Sequence, residues 1–176
     1  MNNYFDINEV NDYALLTTFN EKTKVFDKLV QTPPMHYIDA SAHTLTKLGE
    51  ERTFSIEIKN RNQRLLGDLT VSGLTREGKV YTASTIYIES HKVADLLLDY
   101  LYLHQDPLYI NFLVDGSVMV HNLSRLSERP KKSKEKAIKS LGYKKFEITK
   151  RYELKVEDAA IYDKTGNLIH KPIKVV

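Results

Sequence analysis

Cysteine is absent from this sequence, and so is tryptophan. Without a thiol there is no disulfide framework, no thiolate zinc site and no cysteine nucleophile, and a cytoplasmic protein is the plain expectation. The amino-terminal Met1-Asn2-Asn3-Tyr4-Phe5-Asp6 has no basic stretch leading into an apolar one. Nor does any run approach the ~18 apolar residues that span a bilayer, so neither a targeting segment nor a membrane partner is expected. Glycine is scarce, and its seven occurrences never form Gly-x-x-x-x-Gly-Lys-Ser/Thr or Gly-x-Gly-x-x-Gly, which disfavours P-loop chemistry. The six histidines (His36, His43, His91, His104, His121, His170) show neither His-x-x-x-His nor His-Glu-x-x-His spacing, and there is no Gly-x-Ser-x-Gly elbow. Zinc hydrolases and serine hydrolases therefore have no support.

What is present suits one domain: 176 residues, 41% of them hydrophobic, can bury a core. The most informative stretch is Phe54-Ser55-Ile56-Glu57-Ile58-Lys59. Ile56 and Ile58 alternate with Glu57 and Lys59, so a strand here sends the acid and the ammonium out on one face. Such a face can hold a divalent cation with the carboxylate and polarise a phosphate with the lysine. Acid-x-Lys also occurs as Glu77-Gly78-Lys79 and Glu153-Leu154-Lys155; the first of these reads as a solvated turn, the second as part of a strand. Upstream, Met35–Ala42 reads as a strand carrying Asp39, and Lys47–Arg52 as a turn. Antiparallel pairing across that turn sets Asp39 beside Glu57.

Asp39 in Tyr37-Ile38-Asp39-Ala40, followed by Glu57 and Lys59 in Ser55-Ile56-Glu57-Ile58-Lys59-Asn60, resembles the PD-(D/E)xK nuclease superfamily. The resemblance covers the first two-thirds of the chain. It implies an α/β fold: a central mixed β-sheet flanked by helices, with a restriction-endonuclease-like core in residues 1–124 and a basic C-terminal extension in 125–176. It implies Mg²⁺ or Mn²⁺ held by Asp39, Glu57 and the Ile58 carbonyl, with Lys59 assisting the attacking water or steadying the phosphate. DNA is the implied substrate, and a homodimer the implied assembly. No proline precedes Asp39, and the next helical pattern after Lys59 starts only near His91, later than the family usually brings it.

Charge is unevenly distributed. Residues 1–124 hold 11 Lys and Arg against 16 Asp and Glu, whereas residues 125–155 hold 12 against 4. That basic segment is the footprint expected of a polyanion partner, with Lys131, Lys132, Lys134, Lys144 and Lys145 as candidate phosphate contacts; the bland alternative is a solvated helix face. Arg61, just after the acid-x-Lys strand, can hydrogen-bond phosphate oxygens. Lys92 sits at a predicted helix start, where phosphate is favoured.

Along the chain, Ile7 to Leu16 reads as helical, and so does Val25, Phe26, Leu29, Val30, with Asn20 as N-cap and Pro33-Pro34 as the stop. Glu9 and Glu21 are further candidate acids, better explained by the helix dipole. Tyr81–Glu89 reads as one strand. A helix follows from about His91 to His104, capped by Ser90, with an apolar stripe of Val93, Leu96, Leu97, Tyr100 and Leu101 and with Asp95 and Asp99 on its outer face. Asp115-Gly116 between two strand-like runs marks a hairpin. Lys131–Leu141 reads as a short helix ended by Gly142, followed by strands at Phe146–Thr149, Tyr152–Val156 and Ala159–Tyr162, a turn at Asp163–Gly166 and a tail able to pair as an edge strand. Two functions follow: a metal-dependent deoxyribonuclease, or a noncatalytic nucleic-acid-binding or assembly protein in which Glu57 and Lys59 are only an ion pair.

Overall fold

The computed structural model describes residues 4–33, 36–75, 77–136 and 148–172. Helix α1 (Tyr4–Thr23) opens the chain and stops where Lys24 takes a left-handed φ of 52°. Asn20 secures that exit from within the helix: its Oδ1 accepts the Phe26 N–H at 2.8 Å and its Nδ2 donates to the Phe26 carbonyl at 2.9 Å. The expectation of Asn20 as an N-cap with a second helix after it is thus overturned, since Lys28–Gln31 is strand β1. Between Lys24 and Pro33 there is no room for the three turns that make a helix self-sustaining, and pairing with β2 (Ala40–Leu45) satisfies the backbone instead. Pro34 and Met35 lie outside the described residues.

β2 turns through Gly49, at φ 80°, into the long β3 (Glu51–Arg61). The space before the next helix, unexplained by the sequence, is filled by strands. β4 (Gln63–Leu66), β5 (Thr70–Leu74) and β6 (Val80–Ala83) form a small antiparallel meander, and β7 (Thr85–Glu89) leads into helix α2 (Ser90–Leu103). Ser84 separates β6 from β7, because its carbonyl accepts the Val156 N–H at 2.9 Å instead of continuing one strand. Ser90 is the first helical residue and not the cap, a place taken by Glu89 without a side-chain bond.

β8 (Asp106–Leu113) runs parallel to β3, and β9 (Val118–Asn122) returns antiparallel through Asp115-Gly116, the expected hairpin, with Gly116 at φ 85°. The Asp115 carboxylate accepts the N–H groups of Leu65 at 2.9 Å and Ser117 at 3.0 Å, tying that turn to the meander. Lys131–Lys136 is not a helix but strand β10, paired with β11 (Ile148–Lys155); the rest of the expected helix, through Gly142, and Phe146 lie outside the described residues. A 3-10 turn (Val156–Asp158) joins β11 to β12 (Ala159–Tyr162), and β13 (Leu168–His170) is the expected edge strand, the tail from residue 173 again lying outside.

The result is a mixed α/β architecture dominated by strands. Its largest sheet has the order β1-β2-β3-β8-β9-β12-β13, and β10-β11-β7 and β4-β5-β6 form two smaller sheets. On one face of the large sheet Leu16, Phe19 and Phe26 pack on Phe54, Ile56, Ile58, Ile110 and Phe112. On the other, Leu96 of α2 and Ile86, Ile88 and Leu154 of a small sheet meet Tyr109, Leu113, Met119 and Ile161. Each apolar set follows from period-two alternation in β3, β8 and β9. Among the described residues no helix is long and apolar enough to cross a membrane.

Candidate active site

β2 begins at Ala40 opposite Ile56, so β3 runs on past the end of its partner. Asp39 occupies the gap. Its N–H donates to the Ile56 carbonyl at 3.0 Å, and its carboxylate Oδ2 accepts the Ile58 N–H at 2.6 Å, standing in for the missing strand. A residue in such a ladder turns its N–H and C=O toward the same neighbour, so the Ile58 carbonyl faces the edge where Asp39 sits.

Glu57 points the other way from Ile56 and Ile58, toward α2, and is buried. Burial pushes its carboxyl up to about 8, the Asp39 charge adds to that, and Lys92 and Lys59 pull against it. Lys92 reaches across from the first turn of α2, with Nζ 3.0 Å from Glu57 Oε2 and 3.3 Å from the Tyr37 carbonyl. Burial works against the Lys92 ammonium, yet the Glu57 charge and hydrogen bond, with Asp39 and Asp95, outweigh it and raise its pKa.

Glu57, Lys59, Arg61 and Lys92 line a cleft of about 580 Å³, to which Glu89 and Arg151 of the small sheet also contribute. Asp39 lines a separate, shallow hollow with Thr32 and His36 on the strand edge. Arg61 is held firmly: Nε donates to Asn111 Oδ1 at 2.5 Å, and Nη2 donates to the Tyr109 hydroxyl at 2.7 Å and to the Tyr87 carbonyl. Burial pushes the Tyr109 phenol up to about 12 despite that guanidinium. Lys131 and Lys132 are exposed on β10, and Lys134 shares that strand, on the sheet that borders the cleft through Arg151. Lys144 and Lys145 lie outside the described residues.

The other two acid-x-Lys triplets do different work. Glu77 and Lys79 pair with each other in solvent at 3.3 Å. Lys155 is shared by Glu128 at 3.0 Å and Glu157 at 3.3 Å, beside a second cleft of about 570 Å³.

No protein family, curated protein or solved structure matches this chain. The functional reading therefore rests on the chemistry of these residues. Among the described residues no three His, Asp or Glu side chains converge on a metal position. A hard cation at the strand edge would draw on two carboxylates and the Ile58 carbonyl. That share suits Mg²⁺ or Mn²⁺, whose remaining positions go to waters and substrate phosphates. Two negative groups close enough for one to raise the other's pKa are the chemistry such an ion relieves.

The sequence missed the support behind the site. Asp99, expected on the outer face of α2, is buried and accepts the Tyr37 hydroxyl at 2.7 Å and the Ser55 hydroxyl at 2.6 Å. It locks α2 to β3 and to the segment that carries Tyr37 and Asp39. The signal was there: Asp99 follows Leu96 by three residues and so shares its face, while Tyr100 and Leu101, expected in the stripe, are exposed.

Proposed function

We propose that this chain is a divalent-metal-dependent deoxyribonuclease of the PD-(D/E)xK type, hydrolysing phosphodiesters where the Glu57–Lys59 cleft adjoins the strand edge that carries Asp39. The observation that carries the reading is Asp39 at the end of β2, beside a buried Glu57 that faces two lysines. The reading includes a restriction-endonuclease-like core of α1, β1 to β3, α2 and β8, with β4 to β7 inserted between β3 and α2.

Mg²⁺ or Mn²⁺ held by Asp39, Glu57 and the Ile58 carbonyl would polarise a phosphoryl oxygen and acidify an attacking water. The remaining work falls to the chain. Lys59, two residues beyond Glu57 on the same face, orients the water or donates to a non-bridging oxygen as charge develops in an in-line attack. Glu57 serves only as a carboxylate, so a proton on it competes with the cation. Lys92 holds that carboxylate in place and keeps a positive charge at the cleft floor, and Arg61, fixed by Asn111 and Tyr109, shapes its wall.

The Lys92–Glu57 contact at 3.0 Å favours a second reading, a noncatalytic nucleic-acid-binding or assembly protein whose buried carboxylate is already neutralised. Cleavage of labelled linear, circular and branched DNA with Mg²⁺ or Mn²⁺ separates the two. Activity lost in both Lys59→Ala and Glu57→Ala, with folding and DNA binding intact, supports the nuclease; native protein that binds but never cuts supports the alternative.

A further inference from the structure

Helix α2 is apolar on both of its sides. Leu96 faces the core and is fully buried, while the helical period sets Ala94, Leu98, Leu101 and Tyr102 on the opposite side. That side is open to solvent, with Leu98 49%, Leu101 65% and Tyr102 77% exposed, and Tyr100 and Leu103 are exposed on its flanks. From Leu96 to His104 the only Asp, Glu, Lys or Arg is Asp99, which is buried. A helix that is apolar all round belongs in an interior, not at a surface. Rolling cannot bury the outer side, because the bonds from Tyr37 and Ser55 to Asp99 fix the helix against β3. Exposed apolar side chains elsewhere, such as Leu48 and Val114, stand singly in turns and need no cover.

Size and charge together say what covers this face. Leu98, Tyr100, Leu101, Tyr102 and Leu103 leave roughly 600 Å² to solvent, at the upper end of the patches that monomers show. Two copies would bring about 1,200 Å² together, the lower limit for a specific interface. A face without charge selects neither an acidic nor a basic partner and does not repel its own copy. Antiparallel packing about a two-fold axis at Leu98 sets each residue opposite the one equally far beyond the axis. The small Ala94 of one copy then receives the large Tyr102 of the other, twice over, and the two helix dipoles run opposed.

We infer that the outer face of α2 is the contact between two copies of this chain, packed antiparallel about a two-fold axis at Leu98. The inference stands on α2 alone and does not depend on the nuclease reading. Lys92 reaches Glu57 from another side of the helix, so the pairing leaves that contact in place.

The test is sedimentation equilibrium of the full chain from about 1 to 100 µM, where an interface of this size associates. Native protein is expected to approach twice the chain mass, with a thermal midpoint that rises with concentration. Leu98→Lys sets two like charges on the axis and should weaken association about a hundredfold or more, keep the native circular dichroism and lose the concentration dependence. Tyr102→Glu, at a more exposed position, should do the same, whereas Leu48→Lys should associate as the native protein does. Leu98→Glu alone should be monomeric, yet an equimolar mixture of Leu98→Lys and Leu98→Glu should recover the dimer, because residue 98 meets only itself across the axis. The inference is overturned if native protein stays monomeric throughout, which would give the face to another protein or another segment of the chain. It is equally overturned if both Leu98→Lys and Tyr102→Glu still dimerise, or if the mixture stays monomeric.

Discussion

Replacing Glu57 with glutamine should change how stability depends on pH more than it changes stability itself. The buried carboxyl titrates near 8 in the folded protein against 4.5 as its ordinary value. Between those values the folded chain keeps a proton that the unfolded chain has lost. Its stabilising contribution is therefore complete below about 4.5 and disappears as the pH rises through 8. At about 1.4 kcal/mol per tenfold, the loss from pH 5 to pH 9 amounts to about 4 kcal/mol. Glu57→Gln has no carboxyl to titrate there, so the tilt that the native Glu57 imposes on the curve is absent from the variant. Urea denaturation of both proteins in EDTA, at intervals from pH 5 to pH 9, measures the difference directly. The variant should gain on the native protein by about 4 kcal/mol over that span. Parallel curves would refute the burial and Asp39 repulsion on which the site rests. In the same assay Mg²⁺ should stabilise the native protein more at high pH than at low, by about 2.7 kcal/mol at a hundredfold excess over Kd, and should leave Glu57→Gln unmoved.

Three further outcomes follow from the same geometry. Asp99→Ala removes the acceptor of the exposed Tyr37 hydroxyl and of the buried Ser55 hydroxyl, which keeps Gln105 Oε1 at 2.6 Å, and should cost about 1–3 kcal/mol in urea denaturation, with Asp99→Asn costing less because an acceptor remains. A Cβ at Gly73 would stand 2.9 Å from the Tyr81 hydroxyl; Gly73→Ala should therefore break the 2.8 Å Gln63–Tyr81 bond and cost about 1–3 kcal/mol, read in the same way. His121 is fully buried, donates from Nε2 to the Lys155 carbonyl at 2.9 Å, and has its pKa lowered by burial to about 4. The stability it contributes is present above its ordinary 6.5 and lost as the pH falls toward 4, an effect of about 3 kcal/mol that His121→Gln should remove from the acid limb of the curve.

Much of the local design was legible. Period-two alternation in Phe54–Lys59 correctly set Glu57 and Lys59 on the face opposite Ile56 and Ile58, and Asp115-Gly116 marked its hairpin. α2 was found to within a residue at its start. Three expectations failed where a distant segment held the deciding contact. Val25–Val30 spaces its apolar residues like a helix, but its backbone bonds go to β2. Lys131–Lys136 has helix-forming residues and no strong period, so pairing with β11 decided its state. Asp99 looked solvated until Tyr37 and Ser55 arrived to meet it.

By itself, the sequence determined which side chains share a face and where turns fall, ruled out thiol chemistry and disfavoured P-loop chemistry, because backbone periodicity and residue type are local properties. Only the tertiary structure decided what each face meets. Starting β2 one residue after Asp39 frees the Ile58 edge for a carboxylate; inserting β4 to β7 brings α2 and Lys92 back over Glu57; pairing β10 with β11 turns a basic run into a strand pair on the sheet whose Arg151 lines the cleft. Burial, charge repulsion and strand register all depend on residues far apart in the chain, and folding alone brings them within range.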